Sequence, residues 1–189
     1  MQPETRYAWL GQDRIAYQVL GEGPPDLVMA AAVTVDVAWE DPGVALFLRS
    51  LASFSRLILF DRRGMGASDP PPPDPLPPWE SYVEELAVVL DEVGSERAAI
   101  LAEVETTPAA IFFAGTRPER TSALILVHAS AKYVASDDYP IGLPIEVLRR
   151  SWPRSTSCGD RGHRRDLGAE PSRRRAVPPL VCEASARRR

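Results

Sequence analysis

Arg56-Leu57-Ile58-Leu59-Phe60-Asp61-Arg62-Arg63-Gly64-Met65-Gly66-Ala67-Ser68-Asp69 is the stretch on which the reading of the fold turns. Residues 57–60 are consecutive large apolar side chains, so whichever way each one points it needs a dry environment. That is the pattern of a strand covered on both faces rather than of one with a wet side. A polar segment with two glycines follows at once, and glycine admits backbone turns closed to other residues. The stretch therefore reads as residues 56–61 forming a buried strand that runs straight into a tight loop.

Working upstream, residues 43–54 (GVALFLRSLASF) place apolar side chains at helical spacing, and Asp26–Val33 (DLVMAAAV) is a second near-continuous apolar run. Two buried strands thus bracket a helix. Earlier still, Tyr7, Trp9, Ile15, Tyr17 and Val19 alternate with period two on either side of Gly11-Gln12-Asp13, which predicts an antiparallel hairpin over residues 6–20. Downstream, the proline run 70–78 can continue neither a ladder nor a helix. Trp79–Val93 then predicts an amphipathic helix with Val83, Leu86, Val89, Leu90 and Val93 on one side and Gly94 as its C-cap. Arg97–Val104 reads as a third buried strand, Pro108–Gly115 as a helix, and Ser122–Ala129 as a fourth buried strand. The fold class is α/β, with an N-terminal hairpin, then a mostly parallel sheet with flanking helices.

Composition narrows the class further. The 189 residues are 44% hydrophobic and 25% charged, which suits a globular chain, and no apolar run is long enough to span a bilayer. The start, Met-Gln-Pro-Glu-Thr-Arg, lacks a signal pattern, so a cytoplasmic location is expected. Cys158 and Cys182, with His128 and His163 the only histidines, support neither a disulfide framework nor a metal site, and no cofactor is expected. The net charge of −4 divides into −12 over residues 1–148 and +8 over residues 149–189. Two domains follow from this: residues 1–147 as the folded part, and residues 148–189 as an Arg-rich tail with no apolar periodicity, which composition predicts to be disordered. A shifted reading frame from Cys158 onward accounts at once for the arginine triplets 173–175 and 187–189, the charge reversal and the lost periodicity. Sequencing the gene through that region tests it.

Asp61-Arg62-Arg63-Gly64-Met65-Gly66-Ala67-Ser68 resembles the D-x-R-G-x-G-x-S loop of α/β hydrolases, and Pro118-Glu119-Arg120-Thr121 leading into Ser122–Val127 resembles that family's P-E-R-V-x-x-L-I-L-V segment. Over residues 6–145 the wording is most similar to the hydrolase-like modules found alone or fused to class III adenylyl or guanylyl cyclases. The resemblance implies a nucleophile on a sharp strand-to-helix turn, an oxyanion hole of two backbone amides, and an acid and a histidine after later strands. A sheet of this family commonly takes roughly 200 to 250 residues, so C-terminal strands are expected to be missing. An uncovered last strand predicts poor solubility.

Aligned on the resemblance, the elbow reads Ala102-Glu103-Val104-Glu105-Thr106, with Val104 at the nucleophile's position and Ala102 and Thr106 at the two glycine positions. A valine cannot attack a carbonyl, so no catalytic residue is assigned. A carboxylate nucleophile at Glu103 or Glu105 would shift the elbow by one residue and place bulkier side chains at the small positions. Ala32 and Val33 stand where the family supplies an oxyanion amide, and Glu103 and Glu105 oppose negative charge there. The vestigial pocket is therefore expected from Ala32, Val33, Val104 and Glu105. His128 reads as a core or strand-end residue and His163 as a loop residue, so no triad is assembled. Three readings result. The first is a hydrolase-like protein of ester or lactone ancestry, now inactive. The second is a non-enzymatic module that binds a small apolar ligand or a partner. The third is a nucleic-acid or membrane-surface binder acting through the basic tail, which carries no sequence-specific recognition motif.

Overall fold

The computed structural model describes residues 2–30, 34–71, 79–132 and 134–147, and the account below concerns the compact unit that ends at Ile145. Strands β1 (Arg6–Leu10) and β2 (Asp13–Leu20) form the expected hairpin, with Leu10 opposite Asp13 across the turn at Gly11. Next come β3 (Asp26–Ala30), helix α1 (Pro42–Ala52), β4 (Arg56–Phe60), α2 (Trp79–Glu92), β5 (Ala98–Glu103), α3 (Thr107–Thr116) and β6 (Thr121–Val127). Among the described residues these six strands form one sheet in the order β1-β2-β4-β3-β5-β6. The hairpin joins by antiparallel pairing of β2 with β4, and the pairs β3–β4, β3–β5 and β5–β6 are parallel.

This order distributes the helices. The chain moves from β3 to β4 in one direction across the sheet, then from β4 to β5 and from β5 to β6 in the other. Right-handed crossovers therefore put α1 on one face and α2 and α3 on the opposite face. Two cores result. Leu57 and Leu59 of β4 join Leu27, Met29, Leu101 and Leu48 of α1. Ile58 and Phe60 of the same strand join Val28, Ile100, Leu86, Leu90 and Phe113 beneath α2 and α3. The unbroken apolar run of β4 is thus used on alternate faces, which is why no polar residue interrupts it.

Local signals set the element ends. Asp41 caps α1 by accepting hydrogen bonds from the Gly43 and Val44 amides at 2.7 and 3.0 Å, and Pro42 occupies the first turn. After α2 the chain turns at Gly94, whose φ of +65° allows the Ser95 amide to close on Leu90 O at 2.8 Å.

The fourth strand differs from expectation. It is not buried: β6 lies at the sheet edge, with Leu124 and Leu126 partly packed against the α2/α3 core and Ala123, Ile125 and Val127 exposed. An apolar run reports what a strand needs, not whether a neighbour covers it. The reading of His128 as a core residue falls with it, since His128 is exposed just beyond β6 in a left-handed conformation with φ +53°. The proline run and the Arg-rich tail lie outside the described residues, apart from Pro70 and Pro71.

Candidate functional site

The turn after β5 is an elbow. Glu103 is extended, at φ −132° and ψ 145°, and the next residue, Val104, stands at φ +46° before the chain enters α3. A single residue of reversed φ is what swings a strand directly into a helix while holding its own side chain out at the apex. Val104 is 45% exposed there. A β-branched side chain in the left-handed region is an outlier costing about 1–2 kcal/mol, so the surrounding structure must impose it.

What imposes it is visible. Ala102 and Thr106, on either side of the apex, are both buried, and the Thr106 hydroxyl is at hydrogen-bond distance from both backbone groups of Glu103. It accepts from the Glu103 amide and donates to the Glu103 carbonyl, each at 2.9 Å. The Glu103 carboxylate in turn accepts the Thr106 amide, closing a capping box. The buried Thr107 hydroxyl donates to Val104 O at 2.8 Å and accepts the Ser130 amide at 3.1 Å, tying the elbow to the segment beyond β6. Threonine in place of the expected glycine therefore laces the turn.

The neighbouring loop after β4 supplies the wall. Asp61 is buried and accepts the Val35 and Ala67 amides, both at 2.9 Å, so one carboxylate joins the chain after β3 to the chain after β4. Its burial pushes its pKa above the ordinary carboxylate value despite those two bonds. Gly66, at φ +48°, passes so close that a Cβ there would meet the Asp61 carboxylate at 2.0 Å, which explains the second glycine of the motif. Arg63 turns inward and donates to Glu85 Oε1 at 2.7 Å and Asp13 Oδ2 at 2.8 Å, pinning loop, helix α2 and hairpin together. Glu85 is fully buried, and desolvation raises its pKa although Arg63 opposes the shift.

Arg62 points the other way. Its guanidinium lies 5.3 Å from the centre of the Tyr82 ring and 3.6 Å from Glu105 Oε1, and its buried Nε has no hydrogen-bond partner. It borders a crevice lined by Phe60, Leu86, Ile100, Ala102, Thr106 and Ala110, whose free volume of about 20 Å³ holds one water. The site thus brings together Val104, Glu105, Arg62 and Tyr82. Of the expected pocket, Ala32 and Val33 lie outside the described residues, as does His163. Arg62 and Tyr82 were not anticipated as site residues; the only sequence signal was the doubled arginine, of which just one could enter the Glu85 pair. Among the described residues no cluster of three or more His, Cys, Asp or Glu side chains is arranged to hold a metal ion.

No protein-family model matches the chain, and no curated protein matches its sequence. Solved structures do match. A hydrolase from Pseudomonas aeruginosa superposes with a TM-score of 0.56 at 23% identity, covering 65% of this chain and 44% of its own. Cfl2 from Burkholderia cenocepacia gives a TM-score of 0.58 at 23% identity over 74% of this chain and 45% of its own. An epoxide hydrolase from Vigna radiata gives 0.56 at 19% identity over 80% and 46%. The chain therefore has the α/β-hydrolase fold and spans less than half the length of these neighbours. No helix among the described residues is long and apolar enough to cross a membrane.

Proposed function

We propose that this chain is a hydrolase-like protein of ester- or lactone-hydrolase ancestry that is itself catalytically inactive. The observation that carries the proposal is Val104 at φ +46°: the elbow geometry stands, and the side chain it presents has no nucleophilic atom. Glu103 does not take over the role, because its carboxylate is held by the Thr106 amide in the capping box. Glu105 faces Arg62, and at the residue after the apex it adds negative charge where an oxyanion would develop. Incubation with p-nitrophenyl esters is expected to give no hydrolysis above the buffer rate. Turnover that disappears in E103Q or E105Q would overturn the proposal.

A second reading, a non-enzymatic module that binds a small apolar ligand and regulates a partner, draws support from one observation. Arg62 has a buried donor without a partner beside an apolar crevice, the kind of unmet group that a ligand or water satisfies. The similarity to cyclase-associated modules makes regulation the form this reading takes. A small apolar ligand raising the melting temperature in wild type but not in R62A is the expected result; no shift with a broad ligand panel counts against it.

A further inference from the structure

β6 pairs with β5 on one side, and among the described residues no strand pairs with its other side. Edge strands of monomeric proteins are blunted by charge, proline or irregularity so that they do not template another strand. A register shift relative to β5 at Ser122 disturbs only the start of β6. From Ala123 to Val127 the strand is regular, contains neither charge nor proline, and exposes Ile125 and Val127 at 44% and 40%. Open backbone and apolar side chains thus coincide on one segment.

A second element points to the same side of the molecule. Helix α3 (TPAAIFFAGT) carries no charged residue, and a helix apolar all round belongs in an interior. It packs against β5 and β6 on the face that carries Leu124 and Leu126, yet Phe112 remains 40% exposed.

We propose that β6 pairs antiparallel with β6 of a second copy about a two-fold axis through Ile125, joining the two sheets into one. The strand is its own complement. About Ile125, Ala123 faces Val127 of the other copy and Leu124 faces Leu126, so every opposed pair is apolar and no like charges meet. The axis of an antiparallel pair stands perpendicular to the sheet and preserves its faces, so the two α3 helices lie side by side and cover each other's exposed Phe112. Strand pairing supplies hydrogen bonds and register, and α3 supplies further apolar area towards the roughly 1,000 Å² that a stable interface needs.

Sedimentation equilibrium of the full 189-residue chain tests this. Wild type is expected at twice the chain mass. I125K and I125E, each placing like charges at the axis, are expected at the single mass with an unchanged circular-dichroism spectrum, and an equimolar mixture of the two is expected to return to the double mass. Should the Ile125 variants unfold, F112E, with its charge on the exposed side of α3, is expected to give the single mass while remaining folded. A monomeric wild type overturns the proposal, including one whose β6 amides resist hydrogen exchange because the chain's own residues cover them. So does a polydisperse aggregate, a folded I125K that still dimerises, or a mixture that stays monomeric.

Discussion

β4 and β5 flank β3, and at the same end of the sheet each runs into a tight turn, yet the two turns are maintained in different ways. In the loop after β4, the charged groups that hold it are paired: Asp61 with two amides, Arg63 with Glu85 and Asp13, and Asp69 with Arg14 at 2.9 Å. In the elbow after β5, short-range bonds from Thr106 and Thr107 keep the backbone reversed at a residue that resists reversal. The comparison teaches that the shape of this mouth does not depend on the chemistry performed there. Ion pairs and threonine hydroxyls hold both turns with an aliphatic side chain at the apex.

The largest effect expected from breaking the comparison is at Glu85. E85A leaves the Arg63 guanidinium, 11% exposed, without its buried partner, and an orphaned buried charge costs about 3–5 kcal/mol. Urea denaturation of wild type and variant measures it; a loss below about 1 kcal/mol would mean that Asp13 alone can hold the loop.

A smaller effect of opposite sign is expected at the elbow. V104G removes the left-handed strain and gives up little burial, so the chain should gain about 1 kcal/mol even after the entropy cost of glycine. The same denaturation series checks it, and a destabilised V104G would show that the apex side chain packs usefully.

The smallest effect is in pH dependence. Burial holds the folded pKa of Glu85 above its ordinary value of 4.5. Protonation therefore favours the folded chain, a contribution complete below pH 4.5 and lost as the pH rises through the folded value. E85Q removes it, so the stability of wild type relative to E85Q should fall as the pH rises through that window; a difference independent of pH would contradict the buried placement.

Legibility in the sequence follows the same division. The hairpin, the two strands around α1, the cap at Gly94 and the position of Val104 were all readable, because each depends on residues close together in the chain. The antiparallel joint between β2 and β4 was not readable, nor was the pairing of Arg63 with Glu85 across 22 residues. The edge position of β6 was missed for a different reason: Ser122–Val127 has the same apolar composition as the buried strands, and periodicity carries no information about the next strand. Arg62 was invisible as a site residue because two adjacent arginines look alike until one is consumed by Glu85.

The sequence by itself determined that an aliphatic residue occupies the elbow, since side-chain identity at a motif position needs no coordinates. It also determined the alternation of strands and helices, through hydrophobic period and glycine or proline punctuation. Only the tertiary structure decided that the elbow keeps its reversed backbone under Val104, that Arg62 rather than Arg63 faces it, and that β6 and α3 stand uncovered among the described residues. Those outcomes depend on which distant groups meet, and contact across a fold is set by packing rather than by local pattern.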